Sequence, residues 1–417
     1  MIDYLTAIKR IYQSSESLNS EIVALNRSAD KVCASAIFSS IETPSFNNSA
    51  MDGFAIRYQD IQSSSINKTT LLHVIGQIKA GDSAICTKQK VQNTACAIMT
   101  GAALPSDYDT VIRIEDVEQE YINGQAVISI NNKLKPGQNV RYSGEDFRVG
   151  DIVISPGEVI RPAQIMALAS IGTTHVQVRK TPHVSLFCTG DELLQDNTSC
   201  LSHSKIFNCS GPYISSLLPH FNSQLCHYEI VSDNKADFLI HLEQQLKSAS
   251  PPDIILTTGG VSAGNFDFIP NALKEAGAKI IFHKVAIRPG KPILFAKIDQ
   301  SYIIGLPGNP VSTAVGLRFF LYPLLRKIST MTEEQPNQAI LANSITTNGK
   351  LRYFYKAVIR INNTGQSVVE ILSGQESFKI KPLLTANCWA VLKEGKSSYR
   401  SGDVIDTFPL YPNTNKD

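Results

Sequence analysis

The 417-residue chain contains no apolar run near the roughly 18 residues of a membrane-spanning helix. Its N-terminus, MIDYLTAIKRIY, is broken by Asp3, Lys9 and Arg10, and so reads as an amphipathic helix rather than a secretory signal. Neither sign of charge dominates: Lys plus Arg is 39 and Asp plus Glu 37, a net charge of +2. No overall field then draws the protein to nucleic acid or an anionic membrane, and any anion site must be local. The eight cysteines include no CxxC pair, which fits reduced thiols and a cytoplasmic location better than a disulfide framework. Cys200, His203 and Cys209 are close in sequence but lack a fourth ligand for zinc. Gly at 25 and Pro at 20 are too few for a low-complexity chain, and 43% hydrophobic residues suffice for several cores. The length predicts about two to four domains.

Apolar positions at helical spacing run through Tyr4, Leu5, Ile8, Ile11 and Tyr12, then Ile22, Leu25, Ala29 and Val32, predicting one or two helices in residues 1–40. From the turn-rich TPSFNNSAMDG to about residue 146, short β-type runs separated by Gly, Pro, Asn and Asp predict a mainly β domain over 41–146. RPAQIMALASIG returns to helix and is expected to pack on the N-terminal helices, giving a discontinuous helical domain of residues 1–40 and 147–177. Residues 178–330 alternate apolar strands with amphipathic helices, the pattern of a mostly parallel α/β sheet covered on both faces. Short strands in residues 331–417 predict a small β-barrel or sandwich.

Ligands of α/β sheets gather beyond the carboxyl ends of the strands. LFCTGDEL places Thr189, Gly190, Asp191 and Glu192 at one such end, and LTTGGVSAGNFD places Gly259, Gly260, Ser262, Gly264 and Asp267 at another. GLPGNPVS supplies Pro307 and Asn309, with Asn309 suited to cap a helix and Pro310 to open it. Glycine lets backbone amides approach phosphate oxygens, and Asp267 is placed to hold a divalent cation beside them. HKVAIRPGKP gathers His283, Lys284, Arg288 and Lys291, fixed cations for an oxyanion or diphosphate. Taken alone, a Gly-Gly turn is as often a tight turn, and a basic loop as often merely solvated. Three such loops on one sheet edge favour a phosphorylated ligand.

The strings NNSAMDGFA, IMTGA, GQNVRYSGED, TGDEL, TGGVSAG, AIRPGKP and GLPGNPVS, in this order, resemble the MoeA family of molybdopterin molybdenumtransferases, related to the gephyrin E domain. The resemblance implies a multidomain protein with a central MogA-like α/β domain. It implies an enzyme that takes adenylylated molybdopterin and molybdate and releases AMP and molybdenum cofactor with Mg²⁺. It also implies an elongated homodimer whose cleft lies between one subunit's α/β domain and the other's β domain. A MogA-like adenylyltransferase would supply the substrate, and molybdoenzymes or their chaperones would accept the product.

Carried over by position, Asp52, Thr100, Arg141, Asp146, Glu192 and Asp233 are implied catalytic residues. Thr189, Gly190, Gly259, Gly260, Ser262, Gly264, Lys284, Arg288, Lys291, Pro307, Asn309 and Ser377 are implied to bind the ligands. Arg288, Lys284 and Ser377 would take molybdate, the Gly259–Gly264 loop the diphosphate, and Asp267 with Glu192 the Mg²⁺. The chain departs from the family pattern at Asn47, where an acid is usual, and at Phe207-Asn208-Cys209-Ser210, where Tyr-Asp-Ser-Asn or Tyr-Asp-Thr-Asn is usual. These changes keep two alternatives open: a pterin-binding scaffold with weakened catalysis, and a nucleotide hydrolase resembling CinA.

Overall fold

A computed structural model of the protein describes residues 1–64, 68–83, 92–194, 203–261 and 268–412. In the central domain the strands Gln224–Val231, His183–Thr189, Ile254–Thr258 and Ser301–Leu306 lie side by side in parallel. Leu294–Ile298 and Lys279–His283 extend this sheet through antiparallel pairings. The inner strands are buried along nearly their whole length because helices cover both faces. Leu186, Ile254 and Ile304 pack to one side with Ile214 and Leu317, while Phe187, Ile255 and Ile303 pack to the other with Phe238 and Leu273. The helical path from Pro310 to Ile328 passes through a π turn at Leu317–Leu321. Parallel pairing brings the carboxyl ends after Thr189, Thr258 and Leu306 to one edge.

The N-terminal helix forms at Tyr4–Ser14, with Asp3 accepting the Thr6 N–H at 2.8 Å. Its Ala7, Ile8 and Ile11 are buried in the central core. Residues 22–32 differ from the helix predicted there: Ser20–Ala24 is a strand antiparallel to His175–Arg179, followed by a 3-10 turn at Leu25–Arg27. Ile22 and Val23 are β-branched, and the partner strand supplies the backbone hydrogen bonds that a helix would have made internally. The helix Pro162–Ser170 is present, but its Leu168 packs on Cys33, Ile154, Ile160, Val176 and Val178 rather than on the first helix. Chain segments far apart in sequence do join here, through strands: Ile37–Phe38 also pairs with Ile152–Ile154.

The sheet in the 41–146 region runs in the order Thr110–Arg113, Gly53–Ile56, Thr94–Ile98, Thr70–Ile78, Gln125–Ile130, Glu118–Ile122. At the C-terminus, Arg352–Ile361, Ser367–Ile371, Asn337–Leu341, Val404–Pro409 and Cys388–Leu392 pair in sequence, and the last returns to the first, closing a five-strand barrel. Ile287–Arg288 of the central domain adds in parallel to Arg352–Tyr353 of the barrel, so the basic loop is fixed between the two.

A strap at residues 374–379 leaves the barrel and crosses the start of the Pro310 helix, where the Val311 N–H donates to the Ser377 carbonyl at 3.0 Å. The strap is held from below by Lys356, whose side chain is wholly buried. Its ammonium donates to the carbonyls of Gly374 at 2.7 Å, Lys379 at 3.0 Å and Glu376 at 3.4 Å. Burial lowers the lysine's pKa from its ordinary value, yet these acceptors substitute for its lost water. The Gln375 amide completes the hold by donating to the carbonyls of Lys356 at 2.8 Å and Leu372 at 2.7 Å. Lys356→Met removes the cation and leaves carbonyls without their donor, a local cost of about 1–3 kcal/mol. Amide hydrogen exchange across residues 374–379 is expected to quicken about tenfold, with the remaining barrel strands unchanged.

Candidate active site

A cleft of about 660 Å³ opens at the sheet edge where the parallel strands end. Thr189, Glu192, Gly259, Gly260, Pro307 and Asn309 line it, so three separate strand-end loops share one cavity. Gly259 has φ +89°, and a Cβ there would stand 2.6 Å from the Thr189 carbonyl oxygen and 2.7 Å from its Oγ1. No side chain fits without displacing the neighbouring strand. The Thr189 hydroxyl donates to the Thr258 carbonyl at 3.1 Å, and the Gly259 N–H donates to Leu306 at 3.0 Å, tying the three loops together. Asn309 occupies the helix N-cap position, but its side chain makes no capping bond. Ser262, Gly264 and Asp267 lie outside the described residues.

Acidic groups sit at the far lip. Gly190 precedes a turn in which Asp191 and Asp233 exchange backbone N–H to carboxylate bonds at 3.4 and 3.2 Å. Glu192 is exposed and lines the cleft; Asp233 does not. Among the described residues no group of three His, Cys, Asp or Glu side chains is arranged to hold a metal. A magnesium site does not require one, because Mg²⁺ keeps several waters and binds through one or two carboxylates plus substrate phosphates. Glu192 offers such an oxygen, and its chemistry therefore fits the ion.

The basic loop borders the cleft without lining it: Pro292 reaches the cavity, whereas Lys284, Arg288 and Lys291 do not. Lys284 holds a left-handed backbone, φ +71°, fixed by its N–H on the Ile293 carbonyl at 2.9 Å and by its carbonyl accepting from Ile2 at 3.2 Å. Such a conformation is unusual for a residue with a Cβ and persists where surrounding bonds enforce it. Arg288 and Lys291 are exposed, available to an oxyanion. Ser377 reaches the cleft region through its backbone, as the acceptor for Val311.

Asp52, Thr100, Arg141 and Asp146 lie on the β domain, and none of them lines the cleft. Short pairings draw their motifs together: Asn48 is opposite Arg141 and Ala103, and Ser49 is opposite Val140. Asp52 Oδ1 accepts both the Thr100 N–H at 2.7 Å and the Thr100 hydroxyl at 2.8 Å. These two donors, the N–H foremost, hold the Asp52 carboxyl below the usual carboxylate range. Gly53 beside it is obligatory, since a Cβ would stand 1.9 Å from the Ile112 carbonyl oxygen. The Asp146 N–H donates to the Thr43 carbonyl at 2.9 Å, and Asp146 and Arg141 are both exposed.

Both departures from the family pattern have structural employment. The Asn47 side-chain oxygen accepts the Ser143 N–H at 2.9 Å, bracing the turn before Asp146. Asn208 Oδ1 accepts the Gly211 N–H at 3.0 Å, and its Nδ2 donates to the Tyr228 hydroxyl at 2.9 Å. Phe207 and Cys209 line the cleft beside it. Two further cleft residues, Ile206 and Phe378, belong to none of these motifs. The nearest signals were their neighbours, Phe207 and Ser377.

Comparison with known proteins matches three profiles along the chain. They are the MoeA N-terminal region (domain I and II) at residues 2–172, a probable molybdopterin binding domain at 185–327, and the MoeA C-terminal region (domain IV) at 338–410. A molybdopterin molybdenumtransferase of Synechococcus elongatus is 33% identical over 392 residues, covering 94% of each chain. One from Haemophilus influenzae is 32% identical over 406 residues, covering 96% of each. The crystal structure of a molybdopterin biosynthesis MoeA protein from Pyrococcus horikoshii shares the fold, with a TM-score of 0.81 at 24% identity over 98% of this chain and 99% of that one. With a strand-end cleft, a closed C-terminal barrel and near full-length similarity to these relatives, the chain belongs to the MoeA family.

Proposed function

We propose that the protein is a molybdopterin molybdenumtransferase, which takes adenylylated molybdopterin and molybdate and releases AMP and molybdenum cofactor. The observation that carries this reading is the cleft at the carboxyl ends of the parallel strands, where Thr189, Gly259, Gly260, Pro307 and Asn309 converge. It is a site for an elongated phosphorylated ligand. The diphosphate lies along the Gly259–Gly264 loop, whose glycines allow backbone N–H groups to approach phosphate oxygens. Lys284, Arg288 and Lys291, on the loop that ends at Pro292 in the cleft wall, attract molybdate, and Ser377 approaches from the strap. Thr189, Pro307 and Asn309 shape the wall, while Gly190 leads into the turn that presents Glu192 and Asp191 and Asp233 brace it. Glu192 and Asp267 would hold Mg²⁺, which when bound would supply positive charge beside the phosphates.

Asp52, Thr100, Arg141 and Asp146 join this cleft from the β domain of a second copy, in a homodimer. Two observations support this arrangement: Asp52 is bonded to Thr100, and all four residues are exposed and stand outside the cleft of their own chain. The Asp52 carboxylate, already held ionised by Thr100, is positioned as a fixed negative charge or proton acceptor. The Asn208 amide is engaged within the fold, so residues 207–210 lend no support to a non-catalytic scaffold. A CinA-like hydrolase leaves the Asp52 cluster without a role. The substrate would come from a MogA-like adenylyltransferase and the product pass to molybdoenzymes or their chaperones, all in the cytoplasm. Among the described residues no helix is long and apolar enough to cross a membrane.

Purified protein given adenylylated molybdopterin, Mg²⁺ and molybdate is expected to release AMP only when molybdate is present. AMP release that ignores molybdate, or no release beside an active relative, contradicts the assignment. Asp52→Asn should lower kcat at least tenfold while the fold stays intact by circular dichroism, because the side chain is exposed and the asparagine oxygen can still accept the Thr100 N–H.

Thr100→Val removes the hydroxyl donor but keeps the N–H. The Asp52 pKa should therefore rise part of the way to its ordinary value, read by NMR titration of the carboxyl carbon. The sign follows from the depressed folded pKa: the bonds to Asp52 hold above the unfolded pKa and are lost as pH falls through the folded one. In the variant that loss should begin at a higher pH.

A further inference from the structure

The cleft carries two phenyl rings that its phosphate and oxyanion chemistry does not require. Phe207 is 46% exposed and Phe378 63% exposed, and they are the two aromatic side chains lining a cavity whose other apolar side chains, Leu193, Ile206 and Val261, stand among glycine, threonine, serine, proline and asparagine. Neither ring has an aromatic partner among the described residues. Exposed phenyl groups scattered over a surface need no explanation, but two lining one concave site are different.

Both are carried on fixed backbone. Phe378 follows Ser377, whose carbonyl accepts from Val311, on the strap anchored by Lys356 and Gln375. Phe207 belongs to the short strand Ile206–Phe207, which pairs in parallel with Leu193–Leu194, and is followed by Asn208, bonded to Gly211 and Tyr228. One ring comes from the barrel and the other from the α/β domain. Each stays presented to the cavity because its main chain is held on either side.

We infer that Phe207 and Phe378 bind the planar nitrogen heterocycles of the ligand by stacking, and so select a substrate with a fused ring attached to its phosphates. A phenyl face accepts any flat π-system and needs no hydrogen-bond code, which suits a site where specificity for the linkage is already set by the loops. The inference rests on the proposed function, whose substrate carries such a ring at each end, pterin and adenine. Both ends share the chemistry that these residues recognise.

The experiment is equilibrium binding of three probes to the full-length protein: AMP, 6-hydroxymethylpterin and ribose 5-phosphate, the last having phosphate but no base. Phe207→Ala and Phe378→Ala are each expected to weaken AMP or the pterin about fivefold or more, the lower range for losing a stacked base, while ribose 5-phosphate is unchanged. Phe378→Trp and Phe207→Tyr should restore binding, which a merely structural role would not predict. Whichever ring probe responds identifies the end of the substrate at that residue.

The inference is overturned if either alanine variant binds both ring probes as tightly as the wild type. It is overturned equally if the wild type binds neither at millimolar concentration, or if the only effect of Phe378→Ala is on association of two chains. Turnover separates this inference from the reading beneath it. Wild-type protein that binds the ring probes but never releases AMP with molybdate loses the transferase assignment and keeps the stacking; turnover with unaltered KM in both alanine variants does the reverse.

Discussion

The parallel register of His183–Thr189, Ile254–Thr258 and Ser301–Leu306 is the constraint on which the site depends. Because these strands run in the same direction, their carboxyl ends emerge at one edge, and loops from widely separated sequence become neighbours. The closest of those contacts admits no side chain at Gly259, with its missing Cβ facing the Thr189 carbonyl oxygen. A cavity that binds phosphate through backbone amides requires this intimacy, and the Thr189 to Thr258 and Gly259 to Leu306 hydrogen bonds maintain it. The large buried side chains on both faces of the sheet, Phe187, Phe238 and Phe319 among them, keep the strands from shifting.

A second level of organisation joins the central domain to the barrel. Ile287–Arg288 extends a barrel strand, and the Ser377 carbonyl receives the Val311 N–H, so the basic loop and the strap are fixed against each other. Lys356 illustrates how a buried charge is tolerated: its ammonium is surrounded by carbonyl oxygens of the segment it organises, and its depressed pKa records the desolvation. The Asp52 cluster is organised differently. There the carboxylate remains in water, and local hydrogen bonds from Thr100 fix its direction and ionisation.

Much of this was readable in the residues. Apolar strands alternating with helices between 178 and 330 announced a parallel sheet, and the Gly and Pro positions after them marked the loops that converge. The strand at Ser20–Ala24 was not readable, because Ile22, Leu25, Ala29 and Val32 also satisfy helical spacing and only the distant partner His175–Arg179 decides between the two. Closure of the barrel likewise depends on pairing of Arg352–Ile361 with Cys388–Leu392, a long-range choice. Lys356 and Phe378 carried no motif; one reads as a solvated lysine on a strand and the other as an apolar residue among charges, until the strap gives both a place. Asn47 and Asn208 appeared as losses of negative charge, yet each amide oxygen accepts a backbone N–H that a carboxylate would also accept.

The proposed completion of the cleft by a second copy makes a demand that no single-chain site does, and subunit mixing tests it most directly. One chain carries Asp52→Asn and the other Gly259→Ala, each inactive as its own homodimer. In the mixed dimer, one cleft combines the intact Asp52 with the intact Gly259 loop if they come from different chains. Random mixing should then recover about one quarter of wild-type AMP release, since half the dimers are mixed and half their clefts intact. Recovery of no activity from mixed dimers verified by mass would place both residues in the cleft of one chain and contradict the account.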